Sequence, residues 1–221
     1  MAHFTHHSEE NYLKALYKLS YSTVKKVNNT ALSQLIGHNP ATVLEMVRKL
    51  VGKNLVTTLP NKSLKLTPSG EKKALLIIRK HRLWEVFLTE KLNYSWNEVH
   101  VLAEQLEHIE SNDLVDRLEK YLGFPAVDPH GDTIPDKKGK LKVQESIPLE
   151  NAVAGKNYRI LNLADTNDVF LQYLEKLNIR PGKKIKLVSR NQYDNSVMIM
   201  LLKKIIPLSE KVTKNILVEP A

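Results

Sequence analysis

Apolar residues recur every three to four positions near the start of the chain. Tyr12, Leu13, Leu16, Tyr17 and Leu19 share one side of a helix that opens at Ser8, a residue type suited to capping, with Glu9 and Glu10 in its first turn. Two shorter helical patterns follow, over residues 30–36 and about 40–51, separated by Gly37, His38 and Asn39. Glycine stops the first of these helices. Asn39 can cap the next, and Pro40 fits a first turn in which the missing N–H costs nothing. The stretch LVTTLPNKSLKLTP then predicts two short strands around a Pro-Asn-Lys turn. Helix, helix, turn, helix and hairpin is the order of a winged helix-turn-helix.

Downstream, Thr67 and Pro68 open a long helix running through RKHRLWEVFLTEKL. Helical patterns over 96–109 and 114–122 carry apolar stripes at Leu102, Leu106 and Ile109, and at Leu114, Leu118, Tyr121 and Leu122. These helices carry too many large apolar residues to stand alone. GFPAVDPHGDTIPDKKGK concentrates Pro, Gly and Asp and predicts a loop with a domain boundary near residue 140. Beyond it, the short β-rich runs YRILNLA, KKIKLVS, SVMIMLL and NILVEPA surround a single helix over 169–177, the pattern of a small β-barrel-like domain. The fold class expected is therefore mainly α with β.

Composition narrows the chemistry. The 221 residues contain no cysteine, which removes thiolate catalysis, iron–sulfur clusters and cysteine zinc sites. No apolar run is long enough for a transmembrane helix, and MAHFTHHSEENY lacks the form of a secretory signal, so a cytoplasmic protein without membrane association is expected. An excess of 33 Lys and Arg over 24 Asp and Glu favours an anionic partner such as nucleic acid.

On the helix after Gly37, residues Ala41, Thr42, Glu45, Arg48 and Lys49 fall largely on one side, opposite Val43, Met46, Val47 and Leu50. A recognition helix reads base edges with its N-terminal residues and sets its position through basic groups on phosphate. Here Asn39, Pro40, Ala41 and Thr42 are small enough for close approach but offer no bidentate arginine contact to guanine, so substantial shape and phosphate readout is expected. Asn61 and Lys62 at the hairpin tip complete a candidate double-stranded DNA surface. An ordinary charged surface helix would show the same helical pattern without the wing.

In HVLAEQLEH, residues His100, Glu104, Glu107 and His108 fall within roughly a 100° arc of a helix, with Leu102, Leu106 and Ile109 opposite. Alone, this face suits a solvated helix with His–Glu pairs better than a metal site. On the preceding helix His81 and Glu85 stand one turn apart, a spacing suited to two ligands on one ion. Imidazole and carboxylate without thiolate suit Mn(II), Fe(II), Co(II), Ni(II) or Zn(II). A further histidine group, His3, His6 and His7, precedes the first predicted cap and is expected to be frayed.

The motifs SEENYLKALYKL, PATVLEMVRKLVGKNLV, LTPSGEKKA, RKHRLWEVFL, EVHVLAEQLEH and DPHGDTIP occur in an order that resembles the diphtheria toxin repressor family of metal-dependent transcriptional regulators, in its three-domain form. The resemblance implies a winged-helix DNA-binding domain (1–73), a helical metal-binding and dimerisation domain (74–140), a linker (141–150) and an SH3-like domain (151–221). It implies a primary metal site at Asn11, Glu104, Glu107 and His108. An ancillary site would comprise His81, Glu85 and His100, completed by Asp165 or Asp168. Glu104 looks like the manganese-type residue, where the iron-type repressor has cysteine. Lys14 stands where two-domain manganese regulators carry another carboxylate, which disfavours their binuclear arrangement. Asp128 lies where some relatives place a cysteine near the primary site, and it is equally suited to capping its loop.

The function so implied is a homodimeric repressor activated by Mn(II) or Fe(II), with two ions per subunit and with Zn(II), Co(II) or Ni(II) as substitutes. It would bind palindromic operator DNA and control metal homeostasis. Trp84, Phe87, Leu88, Leu114, Leu118, Tyr121 and Leu122 are candidates for the dimer surface. Two other readings use the same residues. A metal-dependent hydrolase would need a substrate cleft, an open coordination position and a general base, and the sequence has no HExxH motif. A metal-independent winged-helix protein would make the histidine face merely polar.

Overall fold

The computed structural model describes residues 2–21, 26–96, 98–142 and 144–221, with side chains from Ser8 onward. His3, His6 and His7 have side chains outside the described residues. The backbone of helix α1 nevertheless runs Ala2–Ser20, so Ser8 lies inside the helix rather than capping it.

Helix α2 (Asn29–Ile36) is capped by Asn28, whose side chain accepts from Ala31 N at 2.9 Å, and it ends at Gly37 in the left-handed region. Helix α3 (Pro40–Gly52) starts as its sequence predicts: Asn39 Oδ1 accepts from Thr42 N at 2.9 Å, and Pro40 opens the first turn. Strands β1 (Val56–Thr58) and β2 (Leu64–Leu66) pair antiparallel. Tyr12, Leu13 and Leu16 from α1 pack with Leu32, Val43, Val47, Leu50, Val56 and Leu64 in one core. Burying this apolar set, rather than intrinsic propensity, holds such short helices together.

Helix α4 (Pro68–Leu92) begins at Thr67, whose Oγ1 accepts from Gly70 N at 3.1 Å. Gly70 must lack a side chain: a Cβ there would sit 1.9 Å from the Leu55 carbonyl oxygen. Two shorter helices follow, α5 (Val99–Leu106) and α6 (Asn112–Tyr121).

The chain separates into two compact units. The first holds residues 1–81, 104–116 and 135–141, and the second holds 82–103, 117–134 and 142–221. In the second, six antiparallel strands are ordered β3-β8-β4-β5-β6-β7: β3 (Ile147–Pro148), β4 (Asn157–Leu163), β5 (Lys184–Arg190), β6 (Val197–Leu201), β7 (Lys204–Leu208) and β8 (Ile216–Pro220). Helix α7 (Asp168–Lys176) buries Leu171 and Leu174 in the sheet core, and α8 (Glu210–Thr213) is a single turn.

Three differences from the sequence pattern matter. The expected linker 141–150 ends early, because β3 pairs with β8 and Leu149 is fully buried in the sheet core. Trp96, expected within a helix, precedes α5 and packs in that same core. The buried line of α5 continues from Val99 and Ala103 to Glu107, the next turn after its last helical residue, while Leu102, Leu106 and Ile109 are only half-buried.

Candidate metal centre

Within the first unit, α1 places Lys14 one turn after both Glu10 and Asn11. Lys14 Nζ donates to Glu104 Oε2 at 2.6 Å and to Glu107 Oε1 and Oε2 at 2.6 and 2.8 Å. Glu107 has no exposed surface, and its Oε2 also lies 2.5 Å from His81 Nδ1. A fully buried carboxylate is tolerable only with such charge-assisted partners. This explains why α5 can turn Glu107 inward.

His108 Nδ1 lies 2.5 Å from Glu10 Oε2, while Nε2 is 3.9 Å from Glu107 Oε1. A carboxylate on one ring nitrogen fixes the tautomer and leaves the other nitrogen to ligate, the usual arrangement of a metal-binding histidine. Asn11 Oδ1 is buried and meets no hydrogen-bond donor. Amide oxygen, imidazole and carboxylate are together the donor types of a hard or borderline divalent cation, and a buried amide oxygen without a donor suits such a ligand. The four residues expected at the primary site, Asn11, Glu104, Glu107 and His108, all belong to the first unit, as do Glu10, Lys14 and His81. Glu10 was not singled out by the sequence, although its spacing of four from Lys14 was visible.

Of the expected ancillary ligands, Glu85 and His100 lie in the second unit and His81 in the first. Glu85 Oε1 is 3.5 Å from His100 Nδ1, and Oε2 is 3.7 Å from His130 Nδ1. Glu85, Asp128 and His130 are all buried, and each offers a ligand atom within 4.8 Å of the others. His130 donates through Nε2–H to the Trp96 carbonyl at 2.9 Å and stacks on the Trp96 ring, which leaves Nδ1 facing the two carboxylates. Burial alone would lower the His130 pKa, but Glu85 and Asp128 outweigh it and raise it to about 9. Asp128 is raised to about 7 by burial and by Glu85 and Asp132, against the pull of Arg82 and His130. His130 carried no signal in the sequence beyond its place in the DPHGD loop.

Asp128 also fits its loop-capping alternative, because its Oδ1 accepts from the backbone N–H groups of His130 and Asp132 at 2.8 and 3.0 Å. Asp165 accepts from Asn167 N at 3.0 Å, and Asn167 caps α7. Asp165 and its neighbour Asp168 therefore sit at a helix entrance, and neither joins the cluster around Glu85.

On the nucleic-acid side, Asn39, Pro40, Ala41, Thr42, Glu45, Arg48 and Lys49 are exposed, as are Asn61 and Lys62 at the wing tip. The wing turn is held by Asn61 Oδ1 accepting from Ser63 N at 3.0 Å, and Lys62 adopts φ +63°. Lys49 also pairs with Glu9 Oε1 at 2.9 Å, beside Lys53 at 2.7 Å.

The proposed dimer residues divide by exposure. Trp84, Leu88 and Leu118 are buried within the chain, and Phe87 and Leu122 are half-buried. Leu114 and Tyr121 are exposed, two turns apart on α6, and Phe124 beyond them is exposed as well.

Three family profiles match the chain in order. The Iron dependent repressor, N-terminal DNA binding domain matches residues 4–64, the Iron dependent repressor, metal binding and dimerisation domain 67–136, and the FeoA domain 147–220. A manganese-dependent transcriptional repressor solved in complex with manganese superimposes with a TM-score of 0.86 at 30% identity, covering 96% of this chain and 100% of that one. ScaR with bound Zn2+ superimposes at 0.78 and 34% identity, covering 96% and 99%. The diphtheria toxin repressor of Corynebacterium diphtheriae is 29% identical over 192 residues, 82% of this chain and 84% of that protein. The iron-dependent repressor IdeR of Mycobacterium leprae is 34% identical over 126 residues, 57% of this chain and 54% of that protein.

Fold and relatives together define a metal-dependent transcriptional repressor with a DNA-binding domain, a dimerisation domain and a metal-binding function, not an enzyme. The chain belongs to the diphtheria toxin repressor family, whose members of this type control metal homeostasis. Among the described residues, no helix is long and apolar enough to cross a membrane.

Proposed function

We propose that Asn11, Glu104, Glu107 and His108 form the activating metal site, with Glu10 orienting His108. The observation that carries this reading is the buried, donorless Oδ1 of Asn11, next in α1 to the Glu10 that meets His108. A divalent cation bound there supplies the charge that joins these donors. The chain's own contribution is to draw α1, the first helix of the DNA-binding domain, onto the residues following α5. Because those ligands come from separate elements, metal favours the arrangement that brings them together, and DNA binding must tighten metal binding by the same factor.

The cation is Mn(II) or Fe(II) in this reading. The donors are oxygen and nitrogen, the chain has no thiolate, and the relatives include manganese- and iron-dependent repressors. A second ion is assigned to Glu85, Asp128 and His130, with His100 on the other oxygen of Glu85. Leu114, Tyr121 and Phe124 mark the dimer surface. Two copies then present two α3 helices to successive major grooves of a palindromic operator. The domains run 1–73, 74–140 and, with the edge strand included, from about residue 147 onward.

The test is binding to a promoter fragment containing a palindrome, with Mn(II) or anaerobic Fe(II) and then with chelator. Affinity should fall at least tenfold on chelation. Equal affinity in both conditions would overturn metal activation.

A further inference from the structure

The residue with the most direct hold on the proposed metal carboxylates is a lysine. Lys14 Nζ has three N–H donors and makes three short contacts, to Glu104 Oε2, Glu107 Oε1 and Glu107 Oε2. Three of the four carboxylate oxygens in the pair are therefore committed to one ammonium group. Its side chain is four-fifths buried, and Glu107 is wholly so. This is no loose surface pair, which solvent would screen to near insignificance. Lys14 belongs to α1 and Glu104 to α5, with Glu107 just beyond, so the ammonium joins the elements that a metal ion would join.

We infer that Lys14 is an internal cation that occupies the carboxylates of the activating site and must be displaced by the metal. The inference rests on the assignment of Glu104 and Glu107 as metal ligands. Metal–oxygen bonds to carboxylate are about 2.0–2.2 Å for small divalent ions. An ion bonded to the same oxygens competes with the ammonium, 2.6–2.8 Å from each, for their lone pairs, and the two cations held on shared oxygens repel one another. The long, unbranched lysine side chain can swing out through its rotatable bonds, which makes the exchange reversible. The metal therefore binds against an intramolecular competitor. The competitor raises the free-metal concentration needed for occupancy.

The experiment is Mn(II) titration of the full-length protein by calorimetry in a competing chelator, for the unchanged chain and the Lys14→Met, Lys14→Arg and His108→Ala variants, without DNA. Lys14→Met should bind Mn(II) at least tenfold more tightly, and Lys14→Arg, which keeps the charge, should stay within about threefold of the unchanged chain. Metal-free Lys14→Met should melt at a lower temperature than the unchanged chain and gain more from Mn(II), a readout that also shows the variant folds. Equal or weaker Mn(II) binding by Lys14→Met would overturn the inference while leaving the site assignment standing. If His108→Ala binds Mn(II) as the unchanged chain does, the site assignment itself is wrong.

Discussion

His108 Nδ1 lies 2.5 Å from Glu10 Oε2, so the imidazole expected to ligate metal is held by a carboxylate on the first helix of the DNA-binding domain. Glu10 acts here through the histidine. Replacing it leaves the ring free to rotate and removes the charge that makes Nε2 a better donor. Glu10→Gln should weaken Mn(II) binding by roughly 10–100-fold, the usual range for such partners. Calorimetric titration checks this, and a fully conserved affinity would mean that Glu10 plays no part in the site.

Glu9 gives stability a dependence on acid. Burial pushes its carboxyl up, but the ammonium groups of Lys49 and Lys53 prevail and hold it below the ordinary value of 4.5. A carboxylate lowered in the folded state contributes stability that is complete above the unfolded pKa and disappears as pH falls through the folded one. The melting temperature of Glu9→Gln should therefore lie below that of the unchanged chain at pH 7, and the gap should close as pH falls below the ordinary value of 4.5 and through the lowered one. Parallel melts from pH 7 to pH 3 test this. A gap that widens with acidification would reverse the assignment.

Arg48 and Lys62 are exposed on α3 and the wing, where phosphate contacts are expected. Arg48→Ala should weaken operator and random DNA to a similar degree and reduce the salt slope by about one. Fluorescence anisotropy across a salt series reads both quantities. Loss confined to the operator would instead identify Arg48 as a base reader.

Tyr121 is 66% exposed on α6, with Leu114 two turns earlier. A glutamate in the centre of an apolar interface is left desolvated and unpaired. Tyr121→Glu should shift the protein toward monomer in sedimentation and weaken operator binding at least tenfold, with metal binding little changed. A variant that remains dimeric places the interface elsewhere.

Much of the winged helix was legible because its signals are local. Gly37, Asn39 and Pro40 punctuate α2 and α3, and period-two patterning around the Pro60 turn marks the wing. The metal residues were legible only as helix-face geometry, which places them on a surface but cannot say what packs there. Two polar residues consequently read differently in three dimensions. Glu107 is at the centre of a buried cluster because Lys14 neutralises it and His81 hydrogen-bonds to it, and those partners are 93 and 26 residues away in sequence. His130 is buried because Glu85 and the Trp96 carbonyl receive it. The edge strand Ile147–Pro148 escaped notice because two residues with a proline carry almost no strand signal, and pairing with β8 creates it.

Gly131 is pressed so closely against β4 that a Cβ would stand 1.8 Å from the Leu161 carbonyl oxygen. On either side of it, Asn162 Nδ2 donates to Asp132 at 3.0 Å, and Leu163 N donates to the His130 carbonyl at 3.3 Å. With Trp96 inside the sheet core, the second unit is expected to unfold as one cooperative block across the boundary between the dimerisation and FeoA domains. A chain cut at residue 140 is consequently an amputated protein, with an exposed tryptophan and an unpropped loop, rather than a natural two-domain regulator.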